Sequence, residues 1–560
     1  MTLKFKRGSV AAVLVVVALL CVGVAAAIAD DDNLQPIDFT HNVSDAPAPV
    51  TSAVFGQGGN GTQGVPFCST TPVSTVAGGV NVNTDCDLNQ PHNETSIAIN
   101  PTNPNNIIGG ANDYQLGLNP GGHVSETILS RAHVSTDGGK SWSEFPLYSN
   151  NAYQATGDPS VAFDASGHAY YATLGFRFVG PTNAQSPDIL VANSGDGGRT
   201  WSVERVAQGS GNFGSVGDLL DKEYVTAWGI GNAIVTWGDF RLAQKGAVAS
   251  VRVFSSVTHD FGKTWSSPTL ISGALDQAFV PVPTVAADGS IFVAFMDTKF
   301  LDPSTPDFGR DVYEVVKLSP DTGAPLTAPI DVAKVIDGNY DFPIVGGRPV
   351  YQDSVFRTWA AGNITADPTN ARHLAVVFSD MRNSQSFFPN VKTTSYGVAT
   401  NSDVVVSESF DAGATWSSPH ALALSGDQFM PWGAFDQTGQ LRIGYFDRSV
   451  DPANHLYGYS LATETAAAPG ATTPTNAFAS VLVSNVLSDP TKNNRWFATT
   501  ANPAFPFATT FLGDYSNIAI IPNATGTSTS VAAYWTDLRD PATFAGATRQ
   551  GENAYFARVG

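Results

Sequence analysis

Ser135-Thr136-Asp137-Gly138-Gly139-Lys140-Ser141-Trp142 decides the fold, because its spacing of residue types returns three more times along the chain. Ser194 to Trp201, Thr258 to Trp265 and Ser409 to Trp416 all read hydroxyl-x-Asp-x-Gly-x-x-Trp, and Ser319 to Leu326 keeps the pattern without the Trp. Each copy reads as a hairpin turn: the Asp accepts hydrogen bonds from turn amides, the Gly takes a positive φ, the hydroxyl closes the turn and the Trp lies beneath it. Asp137, Asp196, Asp260 and Asp411, with Trp142, Trp201, Trp265 and Trp416, are therefore assigned to folding rather than to chemistry.

Working outward, the chain from His92 falls into units of about sixty residues. In the first, Thr95 to Pro101 is a strand, Thr102 to Asn106 a turn and Ile107 to Asp113 a second strand. Thr127 to Val134 then runs into the Asp turn and a fourth strand. Four antiparallel strands per unit make one blade of an all-β propeller. Matching starts at Ser160, Tyr224, Thr284, Asn363, Gly433 and Asn517 predict seven blades, with six as the alternative. The sixth unit has lost its Asp turn, and the seventh stops after a third strand at Glu552 to Val559. An outer strand from near Val73 to Val82 is the expected donor for that open edge.

The repeated pattern is that of the Asp-box, or BNR, repeat, and residues 90 to 560 resemble the sialidase-like β-propellers of secreted proteins. The resemblance implies a glycan as the substrate class. It departs from true sialidases at one point, since their Arg-Ile-Pro tripeptide near the first blade has no counterpart and residues 90 to 130 contain no Arg.

The N-terminus agrees with export. Lys4, Lys6 and Arg7 precede an apolar run from Val10 to Val24, and Ala27-Ile28-Ala29 offers a small-x-small cleavage site, so 1–29 reads as a signal peptide. No membrane span is then expected after cleavage. Residues 30–90 read as an extended, partly disordered segment pinned by a Cys68–Cys86 disulfide, and 91–560 as the propeller. Asp and Glu number 49 against 29 Lys and Arg, a net charge of -20, which argues against nucleic acid as a partner. A monomer is expected.

Strand direction assigns faces without coordinates. The Asp turns share a face with the turns between first and second strands. The opposite face collects the starts of first strands, the ends of second strands and the long connections Tyr114–Glu126, Thr298–Arg310 and Met381–Ser402, where function is expected. Asp-Arg couples recur there: Asp239 with Arg241, Asp380 with Arg382, Asp447 with Arg448 and Asp537 with Arg539. They read either as guanidinium groups that clamp a substrate carboxylate or as ties between blades.

Residues that break the symmetry at that mouth are the candidate catalytic groups: Glu94, Asp158, Asp221, Glu223 and Tyr515. Asp514, Arg241, Arg357, Arg382 and Arg539 are the candidate substrate contacts. Glycoside hydrolysis needs two carboxyl groups, one acid and one base or nucleophile, and Tyr515 beside Glu223 or Glu94 is the sialidase variation. No cofactor is required, although clustered carboxylates suit Ca²⁺. The nine histidines show no metal-ligand spacing. Three readings stay open: a secreted glycoside hydrolase acting on extracellular glycan or polysaccharide, a non-catalytic glycan- or protein-binding propeller, and a polysaccharide lyase.

Overall fold

Runs such as Ala375-Val376-Val377-Phe378 and Val404-Val405-Val406 are apolar at every position and wholly buried. Strands of this kind need cover on both faces, which neighbouring blades supply. The computed structural model describes residues 62–70, 81–86, 89–118 and 124–560. Excepted from the last range are 149–151, 178–184, 213–215, 244–247, 299–310, 337–343, 346–347, 350, 355, 357–360, 384–399, 423, 466–471, 492–511 and 545–546. The expected signal peptide, Arg357 and the centres of the three long connections lie outside the described residues.

Among the described residues seven antiparallel blade sheets are present, six of four strands and one, in blade 1, with a fifth added outside its four, and their first strands pack neighbour to neighbour in a closed ring. In blade 1, His92–Ile99 lies innermost, followed outward by Ile107–Leu118, Val124–Ser135 and Trp142–Pro146. Blades 2 to 6 begin with Ala155–Phe163, Gly217–Trp228, Ala278–Val285, Asn363–Ala366 and Gln428–Phe435. Blade 7 has Asn517–Ile520, Val531–Asp537 and Asn553–Val559. Its outer strand is Asn81–Asn83, which pairs antiparallel with Asn553–Val559. The expected closure is thus met, and the ring is locked by the two ends of the propeller rather than left with an open edge.

Each Asp turn forms as its residues dictate. Asp137 accepts from the amides of Lys140 and Ser141 at 2.9 and 3.0 Å and from Ser141 Oγ at 2.6 Å, while Ser135 Oγ accepts from Gly139 N at 2.8 Å. Trp142 Nε1 donates to Gly139 O. Asp196, Asp260 and Asp411 repeat these contacts. Burial works to raise the Asp137 pKa, but the bonds from Ser141 and Ser135 outweigh it and hold the carboxylate below its ordinary value.

The turns also tie blades together. Gly139 has φ 91°, and a Cβ there would lie 2.1 Å from Phe556 of blade 7, whose ring packs on Trp142 at 5.3 Å. Gly198 leans in the same way on Ile108 and Val134 of blade 1. Trp142 and Trp201 are buried, whereas Trp265 and Trp416 are partly exposed at the rim of their clusters.

Cys68 and Cys86 form a disulfide with their Cα atoms 5.7 Å apart. Cys68–Thr70 adds a fifth strand outside Trp142–Pro146, and Gln63 bonds to Trp201 N and Pro146 O. The described part of the N-terminal segment is therefore packed on blades 1 and 2 through residues 62–70 and on blade 7 through Asn81–Asn83.

Candidate functional site

Five first strands carry the same irregularity. The pairing register shifts between Asn93 and Ser96, Gly157 and Ser160, Asp221 and Tyr224, Phe279 and Val282, and Phe429 and Trp432. In each bulge one non-glycine residue takes a left-handed conformation: Glu94 (54°), Asp158 (58°), Lys222 (54°), Val280 (54°) and Met430 (49°). A bulge re-aims a side chain out of the sheet, and left-handed φ at a bulky residue costs about 1–3 kcal/mol that surrounding structure must offset. The backbone device is symmetric, but its cargo is not. Blades 1 to 3 place charged groups there, and blades 4 and 6 place apolar ones.

The charged groups meet. Lys222 Nζ lies 2.8 Å from Asp158 Oδ2, 3.0 Å from Asp514 Oδ2 and 3.6 Å from Glu94 Oε1. Its side chain is 1% exposed, and its three partners are no more than 3% exposed. Gly513 makes room: its φ is 98°, and a Cβ there would sit 2.8 Å from Glu94 Cγ. Asp514 N then donates to Glu94 Oε1 at 3.1 Å. Asn112, midway along the second strand of blade 1, donates to Glu94 Oε2 at 3.0 Å and accepts from Asp158 N at 2.8 Å.

Asp221 and Glu223 flank the lysine in sequence and are equally buried. Asp221 Oδ1 accepts from Lys222 N, and Oδ2 has no partner. Neither oxygen of Glu223 has a hydrogen-bond partner on another residue, which is costly for a buried polar group unless a ligand or a proton satisfies it. Tyr515 donates to Pro159 O at 3.1 Å, and its ring faces Lys222 at 5.6 Å and Tyr224 at 5.8 Å.

Electrostatics separates these groups. Burial raises the Glu94 pKa first, and the Asp158 charge adds to it. Burial followed by Asp158 does the same to Glu223, and burial raises Asp221. At Lys222 burial opposes the charge, but Asp158, Glu94 and Asp514 more than offset it and hold the ammonium protonated. Burial and Glu94 push the Tyr515 phenol up, so the hydroxyl stays protonated.

The five candidate catalytic residues and Asp514 thus fall in one neighbourhood, on the face away from the Asp turns. Arg241, Arg382 and Arg539, the candidate arginines among the described residues, do not join them in any described contact. Arg382 closes on Asp380 at 2.6 Å and reaches Lys334 O of blade 4. Arg539 closes on Asp537 and reaches Asn485 and Asn81. Arg448 is buried on Asp427 and Gln352 O. These three tie elements together. Arg241, 56% exposed, pairs with Asp218 and Asp239. Lys222 and Asn112 are the residues sequence reasoning passed over. Aligning the first-strand starts would have put Lys222 at the position of Glu94 and Asp158.

Fold and site together define a seven-bladed β-propeller whose inner ring holds a buried lysine among acidic groups. No family model matches the chain, and no curated protein matches it. Among solved structures it is similar to a protein of unknown function from Dyadobacter fermentans (11% identity, 86% of this chain and 98% of that chain, TM-score 0.41). It is similar also to the GH93 α-L-arabinofuranosidase of Fusarium graminearum in complex with arabinobiose (15%, 65% and 92%, 0.40) and to a Hadza microbial sialidase (11%, 79% and 73%, 0.37). Among the described residues no helix is long and apolar enough to cross a membrane.

Proposed function

We propose that the protein is an exported glycoside hydrolase acting on neutral glycan chains, using two carboxyl groups of the inner ring. The observation that carries this reading is Glu223, a buried carboxyl with neither oxygen hydrogen-bonded to another residue, near enough to the ion-paired Asp158 for that charge to raise its pKa. Burial raises the Glu223 pKa and favours its protonated form, which suits it to give its proton to the glycosidic oxygen as the bond to the anomeric carbon breaks. Asp158 takes the proton of the water that adds to that carbon, and Lys222 steadies the carboxylate. Glu94 and Asp514 hold Lys222 in place. The hydroxyl of Tyr515 is engaged by Pro159 O, so a carboxylate pair is favoured over a tyrosine nucleophile.

Acidic groups outnumber the lysine, and Arg382, Arg448 and Arg539 are held elsewhere, which favours a neutral sugar over an acidic one. This reaction needs no cofactor. Export rests on the signal read in residues 1–29, which lie outside the described residues.

The near-zero exposure of Lys222, Glu94 and Asp514 favours a second reading, a non-catalytic glycan-binding propeller whose cluster locks the blades. One product assay on a panel of neutral chromogenic glycosides and intact polysaccharides separates them. Hydrolysis gives a new reducing end without ultraviolet absorbance, a lyase gives a new reducing end together with an unsaturated product absorbing in the ultraviolet, and a binder gives neither. Loss of the reducing-end signal in Glu223→Gln supports the first reading; no turnover by the parent on any panel member rejects it.

A further inference from the structure

The geometry points to a second site, a structural centre for a zinc-type divalent cation, where the propeller closes. Asp85, just beyond the closing strand, meets His92 of the first strand of blade 1, His133 of the third and Glu144 of the fourth. One ligand atom from each lies within 4.8 Å of the others, and all four residues are 0% exposed.

Two imidazoles converge on one carboxylate. His92 Nδ1 and His133 Nδ1 each lie 3.2 Å from an oxygen of Asp85, a separation close to that between adjacent ligands of a tetrahedral ion bound at about 2 Å. Behind His92 stands a supporting group. Asp113 Oδ1 lies 3.4 Å from His92 Nε2, the carboxylate-behind-imidazole arrangement that orients metal-bound histidine. At His133 the ligand atom Nδ1 itself lies 3.2 Å from Thr84 Oγ1 and 3.1 Å from Tyr534 OH, hydrogen bonds that an ion bound there would replace.

Charge points the same way. Asp85, Glu144 and Asp113 oppose the single guanidinium of Arg131, which contacts Asp113 at 2.8 Å and Glu144 at 2.8 Å. Carboxylates outnumber the one guanidinium in a place without water access, and a divalent ion would answer that excess of negative charge. The donor set selects among ions: two imidazole nitrogens with two carboxylates suit Zn²⁺, whereas Ca²⁺ takes six to eight oxygens. An ion here would join the N-terminal closing segment to blade 1 beside the Cys68–Cys86 bridge, so binding would stabilise the closed ring.

The test uses the full secreted chain. After dialysis against Zn²⁺ and then metal-free buffer, elemental analysis is expected to find about one zinc per chain. A strong chelator should remove it and lower Tm, with Zn²⁺ restoring Tm and Ca²⁺ not. His133→Phe, checked for fold by circular dichroism, should hold less than about a tenth of an equivalent and lose the chelator response. If that variant fails to fold, Glu144→Gln and the visible spectrum of the Co²⁺-loaded parent, which reports four-coordination, take its place. A parent that retains no zinc, a Tm unmoved by chelator, equal restoration by Ca²⁺, or full zinc retained by the folded variants each overturns the proposal.

Discussion

Lys222 Nζ and Asp158 Oδ2 stand 2.8 Å apart across 64 residues of sequence, joining the inner strands of blades 3 and 2 where both backbones are left-handed. The pair is buried, so removing the cation leaves carboxylates without compensation. Lys222→Met is expected to cost roughly 3–5 kcal/mol in denaturant unfolding. Adding Asp158→Asn to that variant should recover part of the loss. Unchanged midpoints would show that the ammonium does not hold these acids.

Glu223→Gln resembles the protonated acid that burial favours, so its Tm should stay close to that of the parent. Turnover should fall by roughly 10²-fold or more, the scale of a lost general acid. The measurement is kcat on the best panel substrate, and parent-like kcat would remove Glu223 from the chemistry.

The raised carboxyls also fix a pH direction. Folded pKa values of Glu94, Asp221 and Glu223 lie above their unfolded ones, so the folded state binds more protons. Their contribution is fully present below the unfolded carboxylate pKa of about 4 and declines as pH rises toward the folded values. The parent should lose Tm on going alkaline more steeply than Glu223→Gln, and parallel profiles would contradict the assignment.

His373 in blade 5 gives a separate titration. Burial opposes its charge, but hydrogen bonds with Asp367 at 3.0 Å and Glu408 at 2.9 Å prevail and raise its pKa to about 9. Its contribution is therefore present below about pH 6.5 and is lost as pH rises through about 9. Thermal melts of the parent and His373→Gln should converge across that window; a gap of constant size would rule out a charged imidazole.

Gly139 and Gly289 both have positive φ, but only the first touches another blade. A Cβ at Gly139 meets Phe556, whereas one at Gly289 meets nothing within 4 Å. Gly289→Ala should cost about 1 kcal/mol, the strain alone, and Gly139→Ala should add a further ~1–3 kcal/mol of overpacking. Equal losses would mean that the turns do not set the blade spacing.

Much of the fold was legible because turn chemistry is local. The Asp, Gly and hydroxyl of Ser135–Trp142 bond within eight consecutive positions, so their spacing alone announces the hairpin, and its repetition announces the blades. The missing outer strand of blade 7 was legible too, since an unpaired edge requires a donor and the chain before His92 was the remaining material. The Asp-Arg couples were ambiguous in sequence, because a guanidinium beside a carboxylate reads alike whether it faces a ligand or a neighbouring blade. Lys334 O beside Arg382 and Asn81 beside Arg539 are contacts made by distant segments.

The sequence by itself determined the repeat, the blade order, the face on which acidic groups gather and the need for closure, all consequences of short-range hydrogen bonding and of the alternating direction of strands within a blade. Only the tertiary structure decided that Lys222 would sit among Glu94, Asp158 and Asp514, and that Asp85 would reach His92, His133 and Glu144. Such meetings depend on ring closure and on bulges that turn side chains out of their sheets, and neither leaves a pattern in neighbouring residues.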